Sequence, residues 1–187
     1  MNEKKFLVDY FDECKTFLNK ADIADKIIEA KKVILATKES GGQLIFAGNG
    51  ASASIANHAS LDFTKQAKVR SVNFNESAFI TAFSNDYGYE NWIEKALGFY
   101  AAAGDTLILV SCSGTSPNVV NAARYANDND INVITFTGFD SENPLKLQGD
   151  ISFWLDCRAY NIIEGVHQLW LLAICDLIIG KSEYSVS

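Results

Sequence analysis

The chain has 187 residues, of which 48% are hydrophobic and 12% aromatic, so it carries enough apolar surface for the core of one globular domain. Its formal net charge of −7 and its isoelectric point near 4.8 exclude a broad affinity for nucleic acid, which requires clustered lysine and arginine. An acidic chain can still bind a phosphate group locally, through backbone amides at a helix N-terminus.

The cysteines and the chain's apolar segments indicate where the protein is found. Cys14, Cys112, Cys157 and Cys175 form no CxxC pair and fit neither a zinc-finger spacing nor a disulfide framework, so a reducing cytoplasm is the expected setting. The first residues are charged where a signal peptide has an apolar run, and Asp176 interrupts the most apolar late segment. We therefore expect no membrane partner.

The first predicted elements are helical. Apolar residues at helical spacing predict helix over residues 3–40, ended by Gly41-Gly42. A short apolar run from Gln43 to Ala47 predicts a buried strand. The turn Gly48-Asn49-Gly50 follows, and a helical pattern then continues to about Lys65.

The rest of the chain alternates between strands and helices. The predicted order is a strand at 69–74, helical patches at 77–83 and 89–103, a strand at 106–110, a helix at 117–129, a strand at 131–137, a short helical piece near Pro144, a strand at 151–155 and a helix at 162–179. This alternation predicts a single domain, residues 1–187, with an α/β fold: a three-layer α/β/α sandwich around a five-stranded parallel sheet in flavodoxin-like order. In the 2-1-3-4-5 order, ligands bind beyond the C-terminal ends of strands one and three.

The loop after the strand at 106–110 carries hydroxyl groups and leads into a helix. Its sequence, residues 111–116 (SCSGTS), precedes Pro117, which suits the first helical position and makes Ser116 a predicted N-cap. Gly114 gives the backbone freedom for a tight turn, and the helix dipole favours a bound dianion. The alternative is that the serines only turn the chain and cap the helix.

The loop after the first strand, residues 48–54 (GNGASAS), is also built from small residues that let a ligand approach the main chain. It lacks the third glycine of a dinucleotide fingerprint, and no P-loop lysine follows it. We therefore expect no nucleotide cofactor. Taken alone, this loop is more typical of a tight turn than of a binding site.

Taken together, three segments resemble one family. GNGASAS followed by Asn57-His58, residues 84–90 (SNDYGYE), and SCSGTSPNVV stand at the separations seen in the phosphoheptose (sedoheptulose 7-phosphate) isomerases of the sugar-isomerase (SIS) family. The resemblance runs from about residue 40 to residue 180. It implies an SIS-domain phosphosugar aldose-ketose isomerase of heptose biosynthesis. It also implies a homotetramer in which the helices of residues 3–40 pack between subunits and the active site is completed across an interface.

The resemblance implies that serines of both loops bind the phosphate of a sugar phosphate substrate. Cys112 stands where the family usually has threonine, and Asp86 would face the sugar hydroxyls, although its Asn-Asp-Tyr-Gly segment is also good turn chemistry. The predicted substrate-binding residues are Gly48, Asn49, Gly50, Ser52, Asp86, Ser111, Cys112, Ser113 and Ser116.

The reaction requires a base and an acid or metal, because isomerisation moves a proton between adjacent carbons through an enediol. The family's base is a glutamate one turn after a histidine, and the matching positions here hold His58 and Asp62, an i, i+4 pair. Aspartate is one methylene shorter than glutamate. The alternatives are that His58 is an interior hydrogen-bonded residue and that Asp62 is exposed or paired with Lys65.

The closing helix departs from the family pattern. The family's histidine acid, a zinc ligand in some members, falls on Leu172, while Glu164 matches the family's glutamine. Glu164 and His167 form an E-x-x-H pair on one helix face, a spacing used in carboxylate metal sites, or they make a buried hydrogen bond instead. The predicted catalytic residues are Asp62, Glu164 and His167, and the implied zinc ligands are His58, Asp62 and Glu164.

Two other functions stay open at this point. The family also contains a partner of the bacterial replication initiator, so a non-catalytic phosphosugar-binding or regulatory module is one alternative, which Asp62 and Leu172 favour. The other is a different chemistry of the same family, such as amino-sugar phosphate isomerisation or lyase action on an ether-linked sugar acid.

Overall fold

Helices and strands alternate along the chain in the computed structural model, which describes residues 2–183. In chain order the elements are α1 (Glu3–Leu18), α2 (Ile23–Glu39), β1 (Leu44–Gly48), α3 (Ala51–Lys65), β2 (Ser71–Asn73), α4 (Ser77–Tyr87), α5 (Trp92–Tyr100), β3 (Thr106–Ser111), α6 (Pro117–Asp128), β4 (Asn132–Thr137), a 3-10 helix (Lys146–Gln148), β5 (Ile151–Trp154) and α7 (Tyr160–Ile179). The predicted domain also includes Met1 and residues 184–187, which lie outside the described residues.

The five strands form one parallel sheet in the order β2-β1-β3-β4-β5, which confirms the predicted order. Phe46 of β1 pairs with Ile108 of β3, and Ile108 pairs with Ile134 of β4. β1 and β3 are buried along their whole length, which explains why each is a continuous apolar run rather than an alternating one.

Helices cover both faces of this sheet, as the sandwich prediction requires. Phe46 and Ile108 point into a core formed with α2, α3 and α7. Their neighbours Ile45 and Leu107 point to the other face and pack with α5 and α6. Successive strand residues alternate in direction, so each strand contributes to both cores.

The boundary that the sequence analysis missed lies near the start of the chain. The helices predicted over residues 3–40 were given no break between them, whereas α1 ends at Leu18 and α2 begins at Ile23. Asn19 stands at the C-cap of α1, where its amide N–H donates to the Lys15 carbonyl. The apolar pattern continues across this break, so periodicity alone does not reveal the turn.

Helix α7 is long and apolar enough, by length and composition, to cross a membrane. Of its most apolar stretch, 44% is buried inside the protein, where Ile163 and Trp170 belong to the core formed with α2 and α3. A core helix passes the same test of length and composition, so this helix is weak evidence for a membrane span.

Candidate active site

The two serine-rich loops meet in one pocket. They leave the C-terminal ends of the neighbouring strands β1 and β3, where Gly48 is opposite Val110. The pocket has a volume of about 150 Å³. Its lining residues are Asn49, Ser52, Ser111, Cys112, Ser113, Ser116, Tyr160 and Glu164.

Two helices begin at this pocket without a capping bond from their own N-cap side chain. Gly50 is the N-cap of α3 and has no side chain to offer. Ser116 occupies the N-cap of α6 before Pro117, but its side chain makes no capping hydrogen bond, contrary to the alternative in which it only caps the helix. The amides of Ala51 and Ser52 in α3 and of Asn118 in α6 make no backbone hydrogen bond within the described residues and can donate to an anion, which both helix dipoles favour.

The loops need glycine at two positions. Gly114 has φ +64°, and a Cβ there would overlap the side chain of Asn143. Asn143 is buried, donates to the Asp140 carbonyl at 2.7 Å and accepts from the Lys146 amide at 2.9 Å, so it holds this loop in place. A Cβ at Gly48 would lie 2.8 Å from the Val110 carbonyl oxygen, because the β1 loop passes close to β3.

Asn49 is fixed at the pocket by two side chains from other elements. It exchanges amide hydrogen bonds of 3.0 and 2.9 Å with the buried Asn118, and the Tyr89 hydroxyl donates to its Oδ1 at 3.0 Å. Residues 84–90 thus reach the site through Tyr89. Asp86 does not line this pocket: it is exposed and accepts a hydrogen bond from Asn85, so its expected contact with the sugar hydroxyls stays a prediction.

Glu164 is the acidic side chain of the pocket. The Cys112 thiol donates to its Oε1 over 3.6 Å. Burial, and then the Glu164 charge, raise the pKa of Cys112 to about 12, so this sulfur stays protonated near neutral pH and acts as a donor, not a nucleophile. Tyr160 lies one turn before Glu164 and was missed by the sequence analysis, although its i, i+4 spacing from Glu164 was available as a signal.

His58 and Asp62 form a pair beside the pocket, between α3 and α7. His58 Nε2 is 3.2 Å from Asp62 Oδ2, and His58 Nδ1 is 2.8 Å from Gln168 Nε2. The side chain of Asp62 is only 18% exposed. Within residues 2–183 the side chain that contacts it in this way is His58 and not Lys65.

His167 lies in the core and not in the pocket. It is fully buried, packs edge-on against Phe136, and its Nε2 donates to the Thr137 carbonyl at 3.1 Å. Residues three apart on a helix differ by about 60° in direction, enough to turn His167 toward the sheet and Glu164 toward the pocket. The structure therefore removes His167 from the predicted catalytic set, and it shows no hydrogen bond between His167 and Glu164.

His167 should make folding sensitive to acid. Burial lowers its pKa to about 4, so below pH 6.5 the unfolded chain gains a proton that the folded chain does not. We expect the free energy of unfolding to fall by roughly 2 kcal/mol from this residue between pH 7 and pH 5. Urea unfolding of the wild type and of His167→Gln, which keeps an N–H donor, measures this difference. Identical pH dependence in both proteins would contradict it.

The implied zinc site does not fit the side chains. Both imidazole nitrogens of His58 already face protein groups, Glu164 accepts from Cys112, and Leu172 has no ligand atom. Among the described residues no three His, Cys, Asp or Glu side chains are close enough to hold a metal ion. We therefore assign no step of the reaction to a metal.

Known proteins resemble this chain along most of its length. The SIS domain family matches residues 9–138. A phosphoheptose isomerase of Aliarcobacter butzleri is 30% identical over 178 residues, which cover 88% of this chain and 94% of that protein. The solved phosphoheptose isomerase of Neisseria gonorrhoeae superposes with a TM-score of 0.85 at 26% identity, over 95% of this chain and 99% of that one. For the Francisella tularensis phosphoheptose isomerase the TM-score is 0.87 at 26% identity, over 97% of this chain and 100% of that one.

Proposed function

This chain belongs to the SIS domain family, and we propose that it is a phosphosugar aldose-ketose isomerase acting on sedoheptulose 7-phosphate. The relatives reported above are named phosphoheptose isomerases, and these names do not favour a non-catalytic binding module. The observation that carries the proposal is the pocket at the N-termini of α3 and α6. Free amides, serine hydroxyls and two helix dipoles converge there on one anion-sized space.

The spacing along α3 suits a sugar with a long carbon chain. Ser52 lines the phosphate pocket in the first turn of α3, and His58 is six residues further, which is about 9 Å along the helix axis. A seven-carbon chain with a terminal phosphate extends about 10 Å at ordinary bond lengths. A phosphate held at Ser52 would thus leave the first two carbons near His58. Asp62 lies one turn further along α3, and its side chain tilts back toward the helix N-terminus.

Asp62 is the group best placed to move the proton. As a carboxylate it removes a proton from C1 of the ketose while the C2 carbonyl oxygen gains a proton, which gives an enediol. It then returns the proton to C2 while the C1 hydroxyl releases its own, which gives the aldose. His58 Nε2, 3.2 Å from Oδ2, is close enough to orient the carboxylate. Glu164, one turn of α7 before Gln168, lines the pocket together with the Cys112 thiol, and both groups can bind sugar hydroxyls.

An activity assay tests the proposal directly. Purified protein is incubated with sedoheptulose 7-phosphate, with and without added zinc, and the aldose phosphate is detected by proton NMR. We expect aldose to form until equilibrium is reached. The absence of turnover under both conditions, while an authentic phosphoheptose isomerase works in parallel, would reject the proposal. Cytoplasmic localisation and a role in heptose biosynthesis stay predictions from the resemblance. So does a zinc requirement, which the arrangement of the described side chains does not support.

We also propose that the protein assembles as a homo-oligomer, most simply a tetramer, through α1. This helix has no buried residue, and Phe6, Leu7 and Phe11 are at least half exposed. An apolar groove of about 410 Å³ lies between α1 and α7, lined in part by Phe11 and Leu169. Such a patch on a helix face is typical of a surface that a partner covers.

Phe11→Glu should disrupt this assembly, because a charge in an apolar contact must lose its hydration. Light scattering after gel filtration should give the wild type a mass near four times the 20.5 kDa of one chain, and the variant a smaller one. The control is Leu147→Glu, because Leu147 is about as exposed as Phe11, at 61% against 64%, but lies on the 3-10 helix. This variant should keep the wild-type mass. A monomeric wild type, or an unchanged Phe11→Glu, would contradict the proposal.

A further inference from the structure

We propose that Gln168 is a positioning residue that fixes the tautomer and orientation of the His58 ring beside Asp62. The inference rests on the proposed function, since it gives Gln168 a part in holding the base of that reaction. Gln168 lies on α7 and His58 on α3, so the contact also joins the two helices.

The two contacts of the imidazole are satisfied by one neutral tautomer. His58 Nε2 lies 3.2 Å from Asp62 Oδ2, a carboxylate oxygen that can only accept, so this contact favours a proton on Nε2. The Nδ1 atom of a neutral ring is then an acceptor and needs a donor. The Gln168 amide nitrogen, 2.8 Å from Nδ1, is that donor.

Without Gln168 little in the surroundings would hold the ring. The His58 side chain is 45% exposed, and water could satisfy either of its nitrogens. Burial and then the charge of the neighbouring Asp62 carboxylate raise the pKa of Asp176, so the two carboxylates repel each other. An N–H fixed on Asp62 Oδ2 offsets part of this repulsion and leaves the second carboxylate oxygen, Oδ1, available to the substrate.

Nitrogen NMR of histidine tests the assignment without any substrate. The chain has two histidines, so two-bond proton-nitrogen spectra of protein labelled at histidine contain two rings. His167 is an internal reference, because its Nε2 faces the Thr137 carbonyl and must also carry the proton. We expect His58 to show the Nε2–H pattern in the wild type. Gln168→Leu should mix the two tautomers, and Gln168→Glu should protonate both nitrogens, because a carboxylate then faces each of them.

Kinetics separate a positioning role from a merely structural one. Gln168→Leu should lower kcat about 10-fold, since a displaced base loses alignment, while KM changes less than about 2-fold because the phosphate loops are untouched. Gln66→Leu makes the same change at the C-cap of α3, about two turns beyond His58, and should alter neither the spectrum nor kcat.

The two proposals fail in different ways. The role of Gln168 would be overturned by an Nδ1–H tautomer of His58 in the wild type, or by a His58 signal that Gln168→Leu does not change. The wild-type spectrum is a test of its own, even if a variant does not fold. If the wild type shows the expected spectra but does not turn over the sugar phosphate, the tautomer assignment stands and the proposed function is wrong.

Discussion

Asp62→Asn should lower kcat for sedoheptulose 7-phosphate on the order of 1,000-fold, the contribution typical of a general base. The amide cannot accept the C1 proton, yet it keeps the shape of aspartate, and its oxygen can still accept the His58 N–H. The fold should therefore survive. The measurement is the initial rate of aldose formation, together with the circular dichroism spectrum of the variant.

Two further variants make this prediction specific. Asp176→Asn removes a carboxylate that also faces Asp62 but lies outside the proposed machinery, and its kcat should stay within about 3-fold of the wild type. Asp62→Glu introduces the residue type of the family base and should remain active. An Asp62→Asn protein that keeps more than a tenth of the wild-type kcat would exclude Asp62 as the base.

Ser113→Ala should weaken binding of the sugar phosphate by roughly 1 to 3 kcal/mol, or about 5- to 150-fold in Kd. Ser113 lines the pocket, and its Oγ accepts from the Thr115 amide and hydroxyl, so its own proton is free to donate to a phosphate oxygen. A hydrogen bond to a charged group contributes about this much. Calorimetric titration in the Asp62→Asn background measures binding without turnover.

The matched control is Ser141→Ala, which removes the hydroxyl of an exposed loop serine that does not line the pocket. Its Kd should equal that of the parent protein. If Ser113→Ala binds as tightly as this control, the phosphate does not rest on the β3 loop and the substrate orientation assumed here is wrong.

The sheet and the meeting of the two serine loops in one pocket were predictable because local patterns determine them. The buried runs at Leu44–Gly48 and Thr106–Ser111 identify β1 and β3, and parallel strands bring the loops at their carboxyl ends together. The serines therefore meet in space although some 60 residues separate them along the chain. Helix spacing likewise gave the His58–Asp62 contact.

Supporting contacts between distant elements were not predictable in this way. Asn118 and Tyr89 hold Asn49, Asn143 supports Gly114, and in each case the partners come from segments with no shared periodicity. Their residue types suggest only polar turns or helix surfaces until the elements are packed together.

His167 illustrates the opposite error. Its spacing from Glu164 predicts a shared helix face, but a face about 60° wide includes both the pocket side and the sheet side of α7. The sheet side holds this imidazole, where Phe136 and the Thr137 carbonyl contact it. Helical spacing alone cannot decide between these two environments.

A crystal structure of Asp62→Asn with sedoheptulose 7-phosphate is the most direct test of the account. We predict that the phosphate lies at the N-termini of α3 and α6, within hydrogen-bond distance of Ser52, Ser113 and Ser116, with C1 and C2 next to Asn at position 62 and to His58. A phosphate bound elsewhere, or a sugar whose first carbons point away from α3, would contradict it.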